Sequence, residues 1–129
     1  MTQRIASATL LVRDYDEALA FFVGKLGFRI THDRTQPNGK RWVEVTPDGG
    51  GMALRLALPS SPEQIHFVGR QAGSRVIFVM HTDDLARDYA GLLAKGVIFE
   101  EGPRDEAYGS VAVFLDCCGN RWDLIQLAP

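Results

Sequence analysis

The chain is 129 residues long, 46% apolar and 23% charged, with a formal net charge of −2. That length suits one domain with a proper core, and the absence of any basic run excludes the electrostatic footprint of nucleic-acid or acidic-membrane binding. No apolar stretch approaches membrane-spanning length, and the only two cysteines, Cys117 and Cys118, are adjacent, so they staple nothing and show no metal-site spacing with a histidine.

Ile5 to Val12 reads as a strand, with Ala8, Leu10 and Val12 alternating against Ser7, Thr9 and Leu11. Asp14 is placed as a helix N-cap with Glu17 at the reciprocal third position. Ala18, Phe21, Phe22 and Leu26 follow at helical spacing and read as core, and Gly27 ends the run. Strands are then expected at Phe28–Asp33, Arg41–Val45 and Met52–Leu58, separated by the turn chemistry of Gln36-Pro-Asn-Gly39 and Pro47-Asp-Gly-Gly-Gly51. The order so far is β-α-β-β-β. Pro59 to Ser74 breaks the pattern and reads as a linker carrying one short helix at Pro62–Val68.

The order then repeats. Arg75 to His81 is a strand, and Asp83-Asp84 precede a helix with Leu85, Tyr89, Leu92 and Leu93 on one face, ended by Lys95-Gly96. Val97 to Glu100 is the next strand. A hairpin closes the chain, with arms near 110–116 and 121–127 around Asp116-Cys-Cys-Gly-Asn120. Along its second arm Trp122 and Leu124 point one way, and Arg121, Asp123 and Ile125 the other. Asp14-Tyr15 matches Asp84-Leu85, and Leu26-Gly27-Phe28 matches Lys95-Gly96-Val97, so the domain consists of two copies of one unit. Two such units suggest an α+β fold: a curved sheet around a cleft with helices outside, unit 1 at about 4–58 and unit 2 at about 75–127 within one domain of residues 1–129.

Leu11-Val-Arg-Asp-Tyr-Asp-Glu-Ala-Leu-Ala-Phe-Phe, Leu26-Gly-Phe28, Thr82-Asp-Asp-Leu85, Gly96-Val97, Tyr108-Gly109, Phe114-Leu-Asp116 and Gly119-Asn-Arg-Trp122 stand in an order that resembles the vicinal oxygen chelate superfamily of glyoxalases, bleomycin-binding proteins and extradiol dioxygenases. The resemblance covers essentially the whole chain. It implies the glyoxalase/bleomycin resistance/dioxygenase fold, a small-molecule ligand and pairing as a homodimer. In enzymes of that kind four side chains, usually His or Glu, hold one divalent metal. Carried over by position, those places fall on Ser7, Arg55, Ile77 and Asp123. Only Asp123 is an ordinary ligand; a guanidinium has no lone pair to give and remains positive. No metal or other cofactor is therefore expected.

Arg55 lies between Ala53 and Ala57, which leave room for a long side chain, and the resemblance would set it across the cleft from Asp123, as an ion pair or as joint contacts to a polar ligand. Trp42 and Glu44 share a face of the third strand, and Trp42 could stack on a flat ligand as aromatic residues do in bleomycin-binding relatives. His81 alternates with Ile77 and Val79 and would face the cleft, while Tyr108 could line its mouth. Trp122 reads as core, His32 as surface, His66 as linker, and the two cysteines as turn residues. Two functional classes follow: a metal-free small-molecule binder, with Arg55, Asp123, Trp42 and His81 as contacts, or a metal-dependent lyase, isomerase or dioxygenase of the glyoxalase type with ligands elsewhere, for example His81, Glu44 and Asp123. Metal-free acid–base catalysis by His81 or Asp123 is a third possibility. The opening Met-Thr-Gln-Arg-Ile lacks the regions of a secretory signal, so a cytoplasmic location is expected.

Overall fold

The computed structural model describes residues 2–129, which form two compact units, one ending at Val68 and one beginning at Gly69. Unit 1 contains strands β1 (Ser7–Leu11), β2 (Arg29–Thr35), β3 (Arg41–Thr46) and β4 (Ala53–Ala57), with helices α1 (Tyr15–Phe22) and α2 (Pro62–Phe67). Its sheet runs β1-β4-β3-β2, with β1 parallel to β4 and the other pairs antiparallel. Alternation separates the faces. Leu10, Val43, Val45, Leu54 and Leu56 are buried together with Ala18, Phe21 and Phe22 of α1, while Ser7, Thr9, Trp42, Glu44 and Arg55 take the other face. Asp14 caps α1 as expected, its carboxylate accepting from the Glu17 amide at 2.7 Å. The Glu17 carboxylate takes up Arg13 at 2.9 Å.

Unit 2 repeats the plan with β5 (Val76–His81), α3 (Leu85–Ala94), β6 (Phe99–Glu106), β7 (Gly109–Leu115) and β8 (Arg121–Leu127), in sheet order β5-β8-β7-β6. Asp84 caps α3. A chain of rings, Phe78–Trp122–Phe114–Phe99–Tyr89, runs through the helix-side face with neighbouring centroids 4.7–5.8 Å apart. Trp122 is core, as its alternation predicts.

The turn of the terminal hairpin is organised by a buried carboxylate. Asp116 accepts hydrogen bonds from the amides of Cys118 and Asn120, from Asn120 Nδ2 and from Trp122 Nε1, all at 2.9–3.0 Å. Four donors compensate the burial of that charge. Cys117 and Cys118 sit in this turn with their sulfurs 4.0 Å apart.

Two expectations are corrected. β6 begins and ends later than Val97–Glu100 because Glu100 to Glu106 pairs with β7 around two register shifts, and neither alternation nor β-propensity marks that acidic, proline-containing stretch. Leu93 does not join the buried face of α3: Leu85 and Leu92 do, and Leu93 is exposed. No helix among the described residues is long and apolar enough to cross a membrane.

Candidate functional site

In unit 1 the polar face of the sheet carries a compact constellation. β3 lies between β4 and β2, with Glu44 paired in register with Arg55 on one side and His32 on the other, and Trp42 opposite Arg34. The Arg55 guanidinium lies over the Trp42 ring, its central carbon 3.9 Å from the ring centroid. A cation over an indole face at this distance is attracted by the ring quadrupole, by about 0.5–2 kcal/mol depending on desolvation. Trp42 Nε1 donates to Glu44 Oε2 at 2.5 Å, which fixes the ring in its plane and engages the acid. His32 packs at 5.6 Å, ring to ring, on Trp42.

On the β2 side of Trp42 lies an open pocket of about 510 Å³, lined by His32, Arg34, Gln36, Pro37, Asn38 and Trp42. His32 is therefore a half-buried lining residue rather than a plain surface one. Asp33 alternates away, paired with Arg41 through two hydrogen bonds of 2.8–2.9 Å. Those bonds hold the Asp33 carboxyl below its usual range. Ser7 lies exposed on the same sheet face as Arg55, opposite Ala53; Thr9 is the residue paired with Arg55 itself.

Asp123 belongs to unit 2, half-buried in the middle of β8, paired with Val113 and Val79. Burial pushes its carboxyl above the usual range; nearby Arg104 and Arg121 pull the other way, and Glu101 adds to the rise. His81 is exposed at the end of β5, two residues beyond Val79. Ile77 falls at the register shift between Val76 and Phe78. Tyr108 is exposed in the turn between β6 and β7, as Trp42 and Glu44 are not.

The sequence pattern of the Glyoxalase/Bleomycin resistance protein/Dioxygenase superfamily matches residues 4–124. The chain belongs to that superfamily. An uncharacterised protein of Shewanella frigidimarina (strain NCIMB 400) is 48% identical over 129 residues, covering 98% of this chain and 96% of that protein. Among solved structures, UcmS2 is similar with a TM-score of 0.84 and 29% identity, covering 97% of this chain and 98% of its own. TnmS3, an antibiotic binding protein from Streptomyces sp. CB03234, is similar with a TM-score of 0.79 and 27% identity, covering 98% of both chains. Membership fixes the architecture, two tandem units of the glyoxalase type, and leaves the chemistry to the side chains of each sheet face.

What sequence reasoning missed at this site is the β2 contribution. His32 and Arg34 alternate with Asp33, and reading that alternation against Trp42 and Glu44 across the Gln36–Gly39 turn would have placed both on the polar face.

Proposed function

We propose that this protein is a metal-free small-molecule-binding member of the superfamily, with the Trp42–Arg55 face of unit 1 as a recognition surface. One observation carries the reading: at the fourth-strand place where the resemblance puts a metal ligand, an arginine stacks at 3.9 Å on a tryptophan. The whole donor set argues the same way. Ser7 offers a neutral hydroxyl, Ile77 no ligand atom, and Arg55 a fixed positive charge; Asp123 alone has ligand chemistry. Four such places do not fit a divalent cation.

A stacked guanidinium and indole do suit a ligand with a flat part and a hydrogen-bonding group. The similarity to TnmS3, itself described as antibiotic binding, supports a sequestering or carrying role over a catalytic one. A cytoplasmic homodimer completes the reading. The competing possibility, a metal-dependent lyase or dioxygenase, requires ligands outside the four inherited places.

Metal retention decides between them. Purified protein is loaded with nickel, manganese, iron or zinc salts, desalted and analysed for metal. Retention well below one ion per chain is expected; one ion per chain, bound tightly enough to survive desalting, overturns the proposal.

A further inference from the structure

The two units offer an internal control for charge at equivalent places. Register sets Glu44 opposite Arg55 and Val113 opposite Asp123, so Trp42 corresponds to Val111. On the next strand, Arg34 opposite Trp42 then corresponds to Arg104 opposite Val111, and His32 to Glu101. Arg104 is neutralised within its own strand, by Glu101 at 2.6 Å and Glu106 at 2.8 Å. Arg34 has no such partner: among the described residues it forms no ion pair, and the place that holds an acid beside Arg104 holds His32. The fold tolerates a paired arginine at this place in one copy and leaves it unpaired, beside a pocket, in the other.

The rest of the lining agrees in sign. No carboxylate lines the pocket. Glu44, on that face, accepts from the Trp42 indole and stands in register with Arg55, whose positive charge opposes its own, and Asp33 is paired with Arg41 on the opposite face. Asn38 Oδ1 accepts from the Lys40 amide at 3.0 Å, and its Nδ2 carries two N–H donors that suit an anionic group. Arg55 approaches Trp42 from the β4 side, and its charge offsets the negative potential by which an indole face would attract a second cation.

We infer that the pocket between Trp42, His32, Arg34 and the 36–38 turn selects planar anions, an aromatic or heteroaromatic carboxylate stacking on Trp42 with its charged group at Arg34. This deepens the proposed binding role and rests on it. The volume of about 510 Å³ admits a ligand of two or three fused rings.

The test uses three isosteric probes on the full chain: 2-naphthoate, 2-naphthalenemethanol and 2-naphthylmethylammonium. Each is titrated while the Trp42 indole N–H is followed by NMR. The naphthoate is expected to bind roughly tenfold tighter than the neutral alcohol, the ratio a single charge-assisted hydrogen bond at a partly exposed site supplies. The ammonium should be weakest. Arg34→Gln should abolish the preference for the anion over the alcohol, and Arg104→Gln should leave that preference intact. Equal binding of all three probes at Trp42 would overturn the charge selection and leave the binding role standing. Preference for the ammonium, or a naphthoate preference that survives Arg34→Gln, overturns it as well. If no probe shifts the Trp42 resonance, the pocket assignment falls, and the metal-retention result still judges the binding role separately.

Discussion

The middle strands of the two sheets show how one fold can be spent in two ways. On β3 the positions facing away from the helix hold Trp42 and Glu44, half-buried and hydrogen-bonded to each other; on β7 the matching positions hold Val111 and Val113, fully buried. The flanking strands follow suit. Unit 1 sets Arg55 and Arg34 on either side of Trp42, whereas unit 2 sets Asp123 beside Val113 and locks Arg104 between two glutamates. The β7–β8 register matches that of β3–β4, whereas β6 carries two register shifts where β2 carries one, so along the middle strands the difference is one of side chains. Polar side chains stand at the middle-strand positions of the first copy, and the second fills the same positions with buried valines.

The hairpin turns offer the largest way to sharpen that contrast. Asp116→Ala strips the acceptor from four donors in unit 2 and should lower stability by about 3 kcal/mol or more, read as a fall in the urea midpoint. The same place in unit 1 is Pro47, in a turn closed by the Gly50 amide on the Pro47 carbonyl. Asp48→Ala, at the exposed tip of that turn, should stay within about 0.5 kcal/mol. Equal effects of the two substitutions would mean that the Asp116 network is not what secures unit 2.

Exchanging the middle-strand residues comes next. Val111→Trp overpacks a fully buried position and should cost about 1–3 kcal/mol. Trp42→Val writes the residue of unit 2 into unit 1; it should keep the fold and lower the affinity for 2-naphthoate by roughly tenfold or more. Retained affinity in that variant would break the contrast at its centre.

A smaller effect concerns Asp123. Because its carboxyl is raised in the folded chain, the folded state holds that proton more tightly than the unfolded one, and stability falls as pH climbs from the ordinary carboxylate range, about 3.9, through the folded value. Asp123→Asn should therefore unfold at a higher urea concentration than the parent at pH 7 and match it near pH 3. Asp33 has the opposite sign: its pairing with Arg41 contributes above the ordinary range and is lost on acidification, so Asp33→Asn should narrow its deficit as pH falls. Smallest of all, Arg87→Ala breaks an exposed pair with Asp83 and should leave the midpoint unchanged.

Much of this architecture was legible in the residues. Asp14 and Asp84 announced the two helices, the turn signals bounded the strands, and the matched motifs exposed the duplication. Trp122 was readable as core because alternation next to a buried strand leaves it no other face. The site was legible in part. Trp42 and Glu44 were found as face-mates, but the stacking of Arg55 on Trp42 depends on which neighbour a long flexible side chain chooses, which spacing does not encode. His32 escaped because a strand of mostly polar residues shows no hydrophobic period to orient it. For β6 the cause is similar: two bulges cancel the alternation that would have marked it. Asp116 was passed over as one more turn residue, since nothing local distinguishes a solvated carboxylate from one that four donors surround.

The pairing of β1 with β4 also has a temporal consequence. It joins residues 7–11 to 53–57 in parallel, a closure that must wait for everything between them, whereas β2, β3 and β4 are linked by short turns. Local hairpins form in microseconds and distant pairings lag behind them. Trp42, Glu44, His32, Arg34 and Arg55 all sit on the short-range β2–β3–β4 meander, and none on β1. Opening of β1 would therefore leave the mutual contacts of these five side chains in place.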